Sequence, residues 1–389
     1  MLGLIVNPVA GVGGPAGLAG SDGAEVQRHA LSRGASARAA ERATLALEAL
    51  PAGTAVLTAA GAMGEDAVRA AGLEPRVVYL PGTPTTPADT AAAAVALAEA
   101  GATLILFAGG DGTARDVATG LDELHGTAVL GIPAGVKMYS PVFAVSPRAA
   151  GGLAAAWLAG ILPVEQREVL DIDEQALHHA RVEPQLHGML AVPYRAGRTQ
   201  ARKSPTPASE RDAAANAARG AALRFRPGVR YLLGPGGTMA EAARALGLDK
   251  SPLGVDVVLD GRLVRRAASE QELLDEISRG PAQAVVTVIG GQGFLLGRGN
   301  QQLSARVLRA LGAGPDGTGP LLVVAPESKL IELRGRPLLV DTGDPEVDAR
   351  LAGFVRVITA PGASSFYPVH APELADHALP EPEGERHAP

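Results

Sequence analysis

The sequence predicts an α/β protein: a parallel-sheet region first, then a strand-containing segment, then a second α/β region. Three observations carry that expectation. From residue 1 to about 160, short apolar and β-branched runs alternate with Ala-, Leu- and Glu-rich stretches of helix length. The alternation lapses after 160 and resumes at 229. Glycine clusters close several of the apolar runs, at 109–112, 234–237 and 290–293, and the carboxyl ends of parallel strands are where ligands bind.

Taken in order, Leu2–Val6 is the first strand, followed by strands at 55–57, 77–80, 104–107 and 128–130. The stretches 37–50, 65–71 and 88–100 between them are rich in good helix formers. Such a pattern implies a parallel sheet covered on both faces, and sets a first domain at 1–160. Trp157 and Leu158 near its end read as core. The segment 161–228 opens with polar–apolar alternation at 168–173 and a second strand candidate at 186–192. Residues 195–226 then carry eight basic side chains against Glu210 and Asp212, with Pro205 and Pro207 among them. That stretch reads either as a solvated, partly mobile excursion or as an anion-attracting flap over a phosphate site. Strands at 231–233, 255–259, 285–289, 321–324 and 355–358, with helices such as 239–246 and 270–279, make up a second α/β region over 229–369. The Pro-, Glu- and His-rich stretch 370–389 reads as a disordered tail.

Composition excludes several function classes. Gly and Pro form about a fifth of the 389 residues, yet the glycines sit at strand ends rather than in tracts, which argues against disorder. The 35 basic residues, of which only 4 are Lys, are outnumbered by 41 acidic ones, so no basic surplus marks a nucleic-acid binder. With no Cys, thiolate metal sites, disulfides and a Cys nucleophile are excluded. The longest apolar stretch, 91–110, is interrupted by Glu99 and Gly101 and reads as a helix and a strand, not a membrane span. The start of the chain lacks the basic region of a signal peptide. A cytoplasmic protein without membrane partners is expected.

The strongest chemical signal is Gly109-Gly110-Asp111-Gly112-Thr113, between a buried strand and a helix running to about Glu123. The glycines let backbone approach a ligand, and the helix N-terminus offers free N–H groups to phosphate. Asp111, expected to be exposed at the mouth, could accept a hydroxyl proton, hold Mg²⁺, or simply cap the helix. Arg115 and Asp116 lie one turn on. The first strand ends in Asn7-Pro8-Val9-Ala10-Gly11-Val12-Gly13-Gly14. As a dinucleotide fingerprint it is weak, because Pro15, Gly17 and Gly20 spoil the helix that should follow. As a glycine-rich phosphate loop (Asn7, Gly11, Gly13, Gly14) beside Gly109–Thr113 it makes better sense. None of Lys137, Lys203, Lys250 or Lys329 has the glycine spacing of a Walker A motif. Gly236, Gly237 and Thr238, and likewise Gly291 and Gly293, follow strands and either cradle further anions or form tight turns. Lys137 is a candidate phosphate ligand. Asp171 and Asp173 suit a metal, a ribose or an exposed strand face, and His178-His179 reads as surface.

Together these residues resemble the superfamily of NAD kinases, diacylglycerol and sphingosine kinases and phosphofructokinases, which share a Gly-Gly-Asp-Gly motif. Within it the chain is most similar to bacterial and archaeal ATP- or polyphosphate-dependent NAD kinases, a group that includes acetoin-catabolism accessory proteins. The resemblance is carried by Leu4-Ile5-Val6-Asn7-Pro8, Gly109–Val117 and Gly131-Ile132-Pro133-Ala134-Gly135-Val136-Lys137. It continues at Asp171–Glu174, Gly234–Thr238, Gly290–Phe294, Arg298–Gln302 and Val340–Asp344. It implies an NAD kinase-like fold and phosphoryl transfer from ATP or polyphosphate, with Mg²⁺, to the 2′-hydroxyl of NAD. Asp111 would be the catalytic group, and a homo-oligomer is expected. Lipid kinases of the superfamily usually continue their second phosphate loop as Gly-Thr-x-Asn-Asp, whereas this chain has Gly135-Val136-Lys137-Met138-Tyr139. Two alternatives stay open: a kinase of another hydroxylated acceptor (sugar, diol or lipid head group), and a silent nucleotide-binding accessory protein.

Overall fold

The structure is a computed structural model, and it describes residues 1–11, 37–121, 126–134, 138–160, 162–171, 185–195, 199, 208–315, 317 and 319–372. Five parallel strands form the N-terminal sheet: β1 (Leu2–Val6), β2 (Ala55–Ala59), β3 (Glu74–Tyr79), β4 (Leu104–Gly109) and β5 (Ala128–Pro133). Their order is β3-β2-β1-β4-β5, every pair parallel. The chain therefore winds outward from β1 in one direction, returns, and winds outward in the other. The reversal leaves a crevice between β1 and β4 at their carboxyl ends, the place where such sheets bind ligands.

The helices are α1 (Ala39–Leu47), α2 (Glu65–Ala70), α3 (Pro87–Glu99), α4 (Asp111–Leu121) and α5 (Pro147–Leu158). α1 packs on α2 and α5, and α3 packs on α4, so both faces of the sheet are covered. β1, β4 and β5 are accordingly buried at every position. β3 is the edge strand and is largely exposed, and Leu80 just beyond it is 78% exposed. Helix starts follow their sequence signals: Thr86 and Asp89 make a reciprocal capping box before Pro87, and Ser146 caps α5 through the Ala149 N–H. Trp157 packs partly buried against the core, with its indole N–H donating to Thr103, but Leu158 faces solvent, contrary to expectation.

β6 (Val164–Asp171) and β7 (Gln185–Pro193) pair as an antiparallel ribbon lying against α4 and β5. The basic stretch after it is not wholly an excursion, because 208–222 folds as α6 (Ala208–Ala222). Its Ala214, Ala217, Ala218 and Ala221 are buried, and a Cβ at Gly220 would stand 2.5 Å from the Ala360 carbonyl oxygen. Residues 196–198 and 200–207, and the tail from 373, lie outside the described residues.

The C-terminal sheet contains β8 (Arg230–Leu233), β9 (Val255–Leu259), β10 (Arg262–Ala268), β11 (Ala282–Val286), β12 (Phe294–Leu296), β13 (Leu321–Val324), β14 (Leu338–Val340), β15 (Gly353–Ala360) and β16 (Ala363–His370). Their order is β10-β9-β8-β11-β13-β15-β16-β14-β12. β8, β11, β13 and β15 run parallel, while β9–β10 and β15–β16 are hairpins. Its helices are α7 (Gly237–Ala245), α8 (Glu270–Ser278), α9 (Ala305–Ala310), α10 (Glu327–Ile331) and α11 (Pro345–Leu351). Residues of one strand alternate between two cores: Leu321 and Val323 join one, Leu322 and Val324 the other. Burial on both faces is why such strands read as unbroken apolar runs. β12 ties the two halves together, since Phe294 enters the core of the N-terminal sheet while Leu295 and Leu296 enter that of the C-terminal one.

Candidate active site

The site grows from the crevice between β1 and β4. β4 ends at Gly109, and the Gly110 carbonyl accepts the Ala114 N–H, so Asp111 is the first residue of α4. Gly109 is required by close approach: a Cβ there would stand 2.3–2.8 Å from the Thr113 side chain. Thr113 is buried, and its hydroxyl accepts the Asn7 Nδ2–H at 2.9 Å, while Asn7 Oδ1 accepts the Val9 N–H at 3.2 Å. Asn7 thus stitches the loop after β1 to the first turn of α4. A Cβ at Gly112 would come no closer than 3.8 Å to Arg115 Nη2, so that turn is uncrowded there, and the helix dipole favours an anion at its start.

The sequence leads one to expect an exposed Asp111, but the residue is only 6% accessible. Its Oδ2 accepts the Tyr139 N–H at 2.5 Å and its Oδ1 the Ser140 N–H at 3.1 Å. Ser140 is itself fixed, its hydroxyl donating to the Leu170 carbonyl and accepting the Leu170 N–H on β6. Burial pushes the Asp111 carboxyl up to about 7, against the hydrogen bonds from Ser140 and Tyr139, with the nearby Asp171 charge adding to the rise. Burial and the Asp111 charge also push the Tyr139 phenol up to about 12. The result is a carboxyl group that titrates near neutrality beside an anion-favouring helix end.

Other sequence candidates fall into distinct places. Arg115 is held by two carboxylates, Asp171 at 2.6 Å and Asp116 at 3.3 Å, so its charge is already compensated. Gly11 has φ +83°, and a Cβ would lie 2.6 Å from the Ala134 carbonyl oxygen, so it lets the loop after β1 press on the end of β5. Gly13, Gly14, Lys137, Asp173, His178 and His179 lie outside the described residues. Gly236, at φ +106°, precedes α7, and Gly237 and Thr238 form its first turn. The buried Thr238 hydroxyl accepts from Lys329 Nζ at 3.3 Å, and that ammonium also donates to the Val288 carbonyl. Gly291 and Gly293 flank a turn whose centre, Gln292, reaches across to donate to the Met138 carbonyl at 2.8 Å. That turn therefore abuts the segment holding Asp111.

Sequence reasoning assigned no role to Gln292, Arg42, Arg298 or Asp341. Arg42 and Arg298 both bind Asp341 Oδ2, Arg298 at 2.8 Å and Arg42 closer. Burial alone would raise the Asp341 carboxyl, but the two guanidinium groups outweigh it and hold it below its ordinary value. Its Oδ1 is buried without a partner among the described residues, and Asp341 borders a partly open cleft between Gly11, Arg38, Ala134, Ser304 and Thr342. Gln292, Arg298 and Asp341 do fall inside the Gly290–Phe294, Arg298–Gln302 and Val340–Asp344 blocks. Those blocks were the available signal.

Gln292 and the Arg298–Asp341 pair of the C-terminal half thus meet the segment that holds Asp111. Residues 2–161 match the model of the ATP-NAD kinase N-terminal domain, and residues 226–369 match that of the ATP-NAD kinase C-terminal domain. No curated protein and no solved structure matches the chain. The two matched segments cover most of the sequence and contain both walls of the site just described, and the chain belongs to the ATP-NAD kinase family of phosphotransferases.

Proposed function

We propose that the protein transfers a phosphoryl group from ATP or polyphosphate to the 2′-hydroxyl of the adenosine ribose of NAD, giving NADP. The observation that carries the reading is the Asp111 carboxyl itself, buried in the first turn of α4 and held by the Tyr139 and Ser140 N–H groups, with burial pushing it up to about 7. A general base works best with a pKa near the working pH. In this reading Asp111 takes the hydroxyl proton as the ribose oxygen attacks the terminal phosphorus. The bond from phosphorus to the bridging oxygen breaks, and its electron pair leaves with ADP or the shortened polyphosphate. Each carboxylate oxygen keeps a lone pair for the proton after accepting its N–H bond. N–H groups of Gly110, Gly112 and Thr113 bind phosphate oxygens, Lys137 supplies charge, and Gly236–Thr238 offers a second helix end.

Mg²⁺ supplies charge neutralisation to the transferring group when bound. No three carboxylate or imidazole groups cluster among the described residues, so the ion would rest mainly on phosphate oxygens, as Mg²⁺ commonly does. We further read the protein as a cytoplasmic homo-oligomer without nucleic-acid or membrane partners. Among the described residues no helix is long and apolar enough to cross a membrane.

The test is incubation with NAD, Mg²⁺ and either ATP or polyphosphate, with NADP as the product sought. NAD carrying a 2′-deoxy adenosine ribose should bind through its pyrophosphate, with affinity lowered by about 1–3 kcal/mol for one unpaired buried group, and should not react. Phosphorylation of that analogue at the NAD rate would move the acceptor to another hydroxyl. NAD binding without turnover under either donor would leave a nucleotide-binding accessory protein.

A further inference from the structure

Residues 138–145, ahead of α5, form a return that pairs back on Gly131, with the Gly131 N–H on the Val142 carbonyl and the Ala144 N–H on the Gly131 carbonyl. Tyr139 and Ser140, whose N–H groups bind Asp111, lie in this return. The position of the Asp111 carboxylate therefore depends on the position of the return. Among the described residues, three side chains grip it or the strand end before it by carbonyl oxygens. Gln292 Nε2 donates to Met138 at its start and Arg298 Nη2 to Val145 at its end, the latter at 3.0 Å, while Arg42 Nε donates to Pro133 at the end of β5 just before it.

The grips are built as one unit. Arg42 and Arg298 each use a second nitrogen on the same Asp341 oxygen, and Arg298 also lies 4.2 Å above the Phe294 ring. The planar guanidinium fork can span a carbonyl and a carboxylate at once, which an ammonium cannot. Arg42, Gln292, Arg298 and Asp341 are all 6% exposed or less, so each bond is shielded from water. Gln292, Arg298 and Asp341 come from the C-terminal half of the chain, whereas the return belongs to the N-terminal sheet.

We infer that Gln292, Arg42 and Arg298, with Asp341 orienting the two arginines, are positioning residues for Asp111. Through them the C-terminal half holds the return and sets where the catalytic carboxylate sits. The inference rests on the reading of Asp111 as the base.

The deciding variant is Gln292→Leu, which keeps volume but removes the Gln292 bond to the Met138 carbonyl. Its control is Gln283→Leu, because Gln283 makes a comparable bond to the Gly319 carbonyl from β11 without touching the return. For Gln292→Leu, kcat with NAD should fall about tenfold or more while KM for NAD stays within about twofold, since misplacement by an ångström is enough for that loss. Amide exchange at Tyr139 and Ser140 should rise about tenfold as the return opens locally. Gln283→Leu should change neither. Arg298→Lys, which retains the charge beside Asp341 without the fork, should show the same pattern more weakly, and it stands in if Gln292→Leu does not fold. Unchanged exchange at 139–140 in folded Gln292→Leu, or an equal fall in kcat in the control, would overturn the inference. An Asp111→Asn enzyme that kept more than about a tenth of its rate would overturn the base assignment instead, leaving the exchange result to decide the grip.

Discussion

At the scale of single residues, Asp111 shows how burial makes a carboxylate chemically useful. Its charge is disfavoured by burial and favoured by two N–H donors, and burial wins, leaving the group near 7. Activity should therefore rise with pH to a half-maximum near 7, and Asp111→Asn should lower kcat by about 10²–10⁴-fold. Retention of more than about a tenth of the rate would remove the general-base role. The same shift has a stability consequence of determined sign. The folded-state value lies above the ordinary 3.8, so between about pH 4 and 7 the native state holds more protons than the unfolded chain, and this group's contribution falls as pH rises. Urea midpoints should show Asp111→Asn gaining on wild type from pH 5 to pH 8, and a constant difference would contradict the raised value. The motif around Asp111 was legible in the sequence because Gly-Gly-Asp-Gly-Thr is contiguous. Its burial was not, because Tyr139, Ser140 and Gln292 are brought to it only by the folded return and the second sheet.

At the scale of elements, the turn from β4 into α4 depends on an absent side chain. A Cβ at Gly109 would meet Thr113 Oγ1 at 2.3 Å and Thr113 Cβ at 2.5 Å. Gly109→Ala should therefore push the first turn of α4 outward, break the Asn7–Thr113 bond and cost about 1–3 kcal/mol, a typical overpacking penalty. Adding Thr113→Ser or Thr113→Ala should not restore stability, because the Thr113 Cβ itself is in the way. Restoration by Thr113→Ala in a thermal denaturation series would show that only the γ atoms matter. Element legibility followed how far burial matched pattern. β1, β4 and β5 are buried on both faces and were plain as apolar runs, whereas β3 at the edge begins three residues earlier than its apolar stretch suggested. α6 was hidden because it packs with Ala beneath Arg-rich surroundings, giving a helix whose buried face carries little apolar contrast.

At the scale of the whole molecule, the two halves are joined by apolar and ionic contacts of different character. Phe294 crosses into the first core, and its contribution is ordinary burial. Asp341 is a fully buried anion between two buried cations, Arg42 from the first half and Arg298 from the second. Sequence pattern revealed neither, because Arg42 lies in a stretch, 37–50, that reads simply as helix and its partner is 299 residues away. A buried ion pair gives little net stability relative to apolar residues of similar size, but removing one partner leaves charges that cannot be hydrated. Asp341→Leu should thus cost about 3–5 kcal/mol, because Arg42 and Arg298 are left facing each other without an anion. Replacing all three, as Asp341→Leu with Arg42→Met and Arg298→Met, should recover most of that loss in urea denaturation. Recovered stability should not bring recovered turnover, since the Pro133 and Val145 carbonyls would still lack their donors. A triple variant as unstable as Asp341→Leu alone would mean that the cluster contributes net stability. Full turnover in a folded triple variant would mean that the halves are joined by it but the active-site return is not.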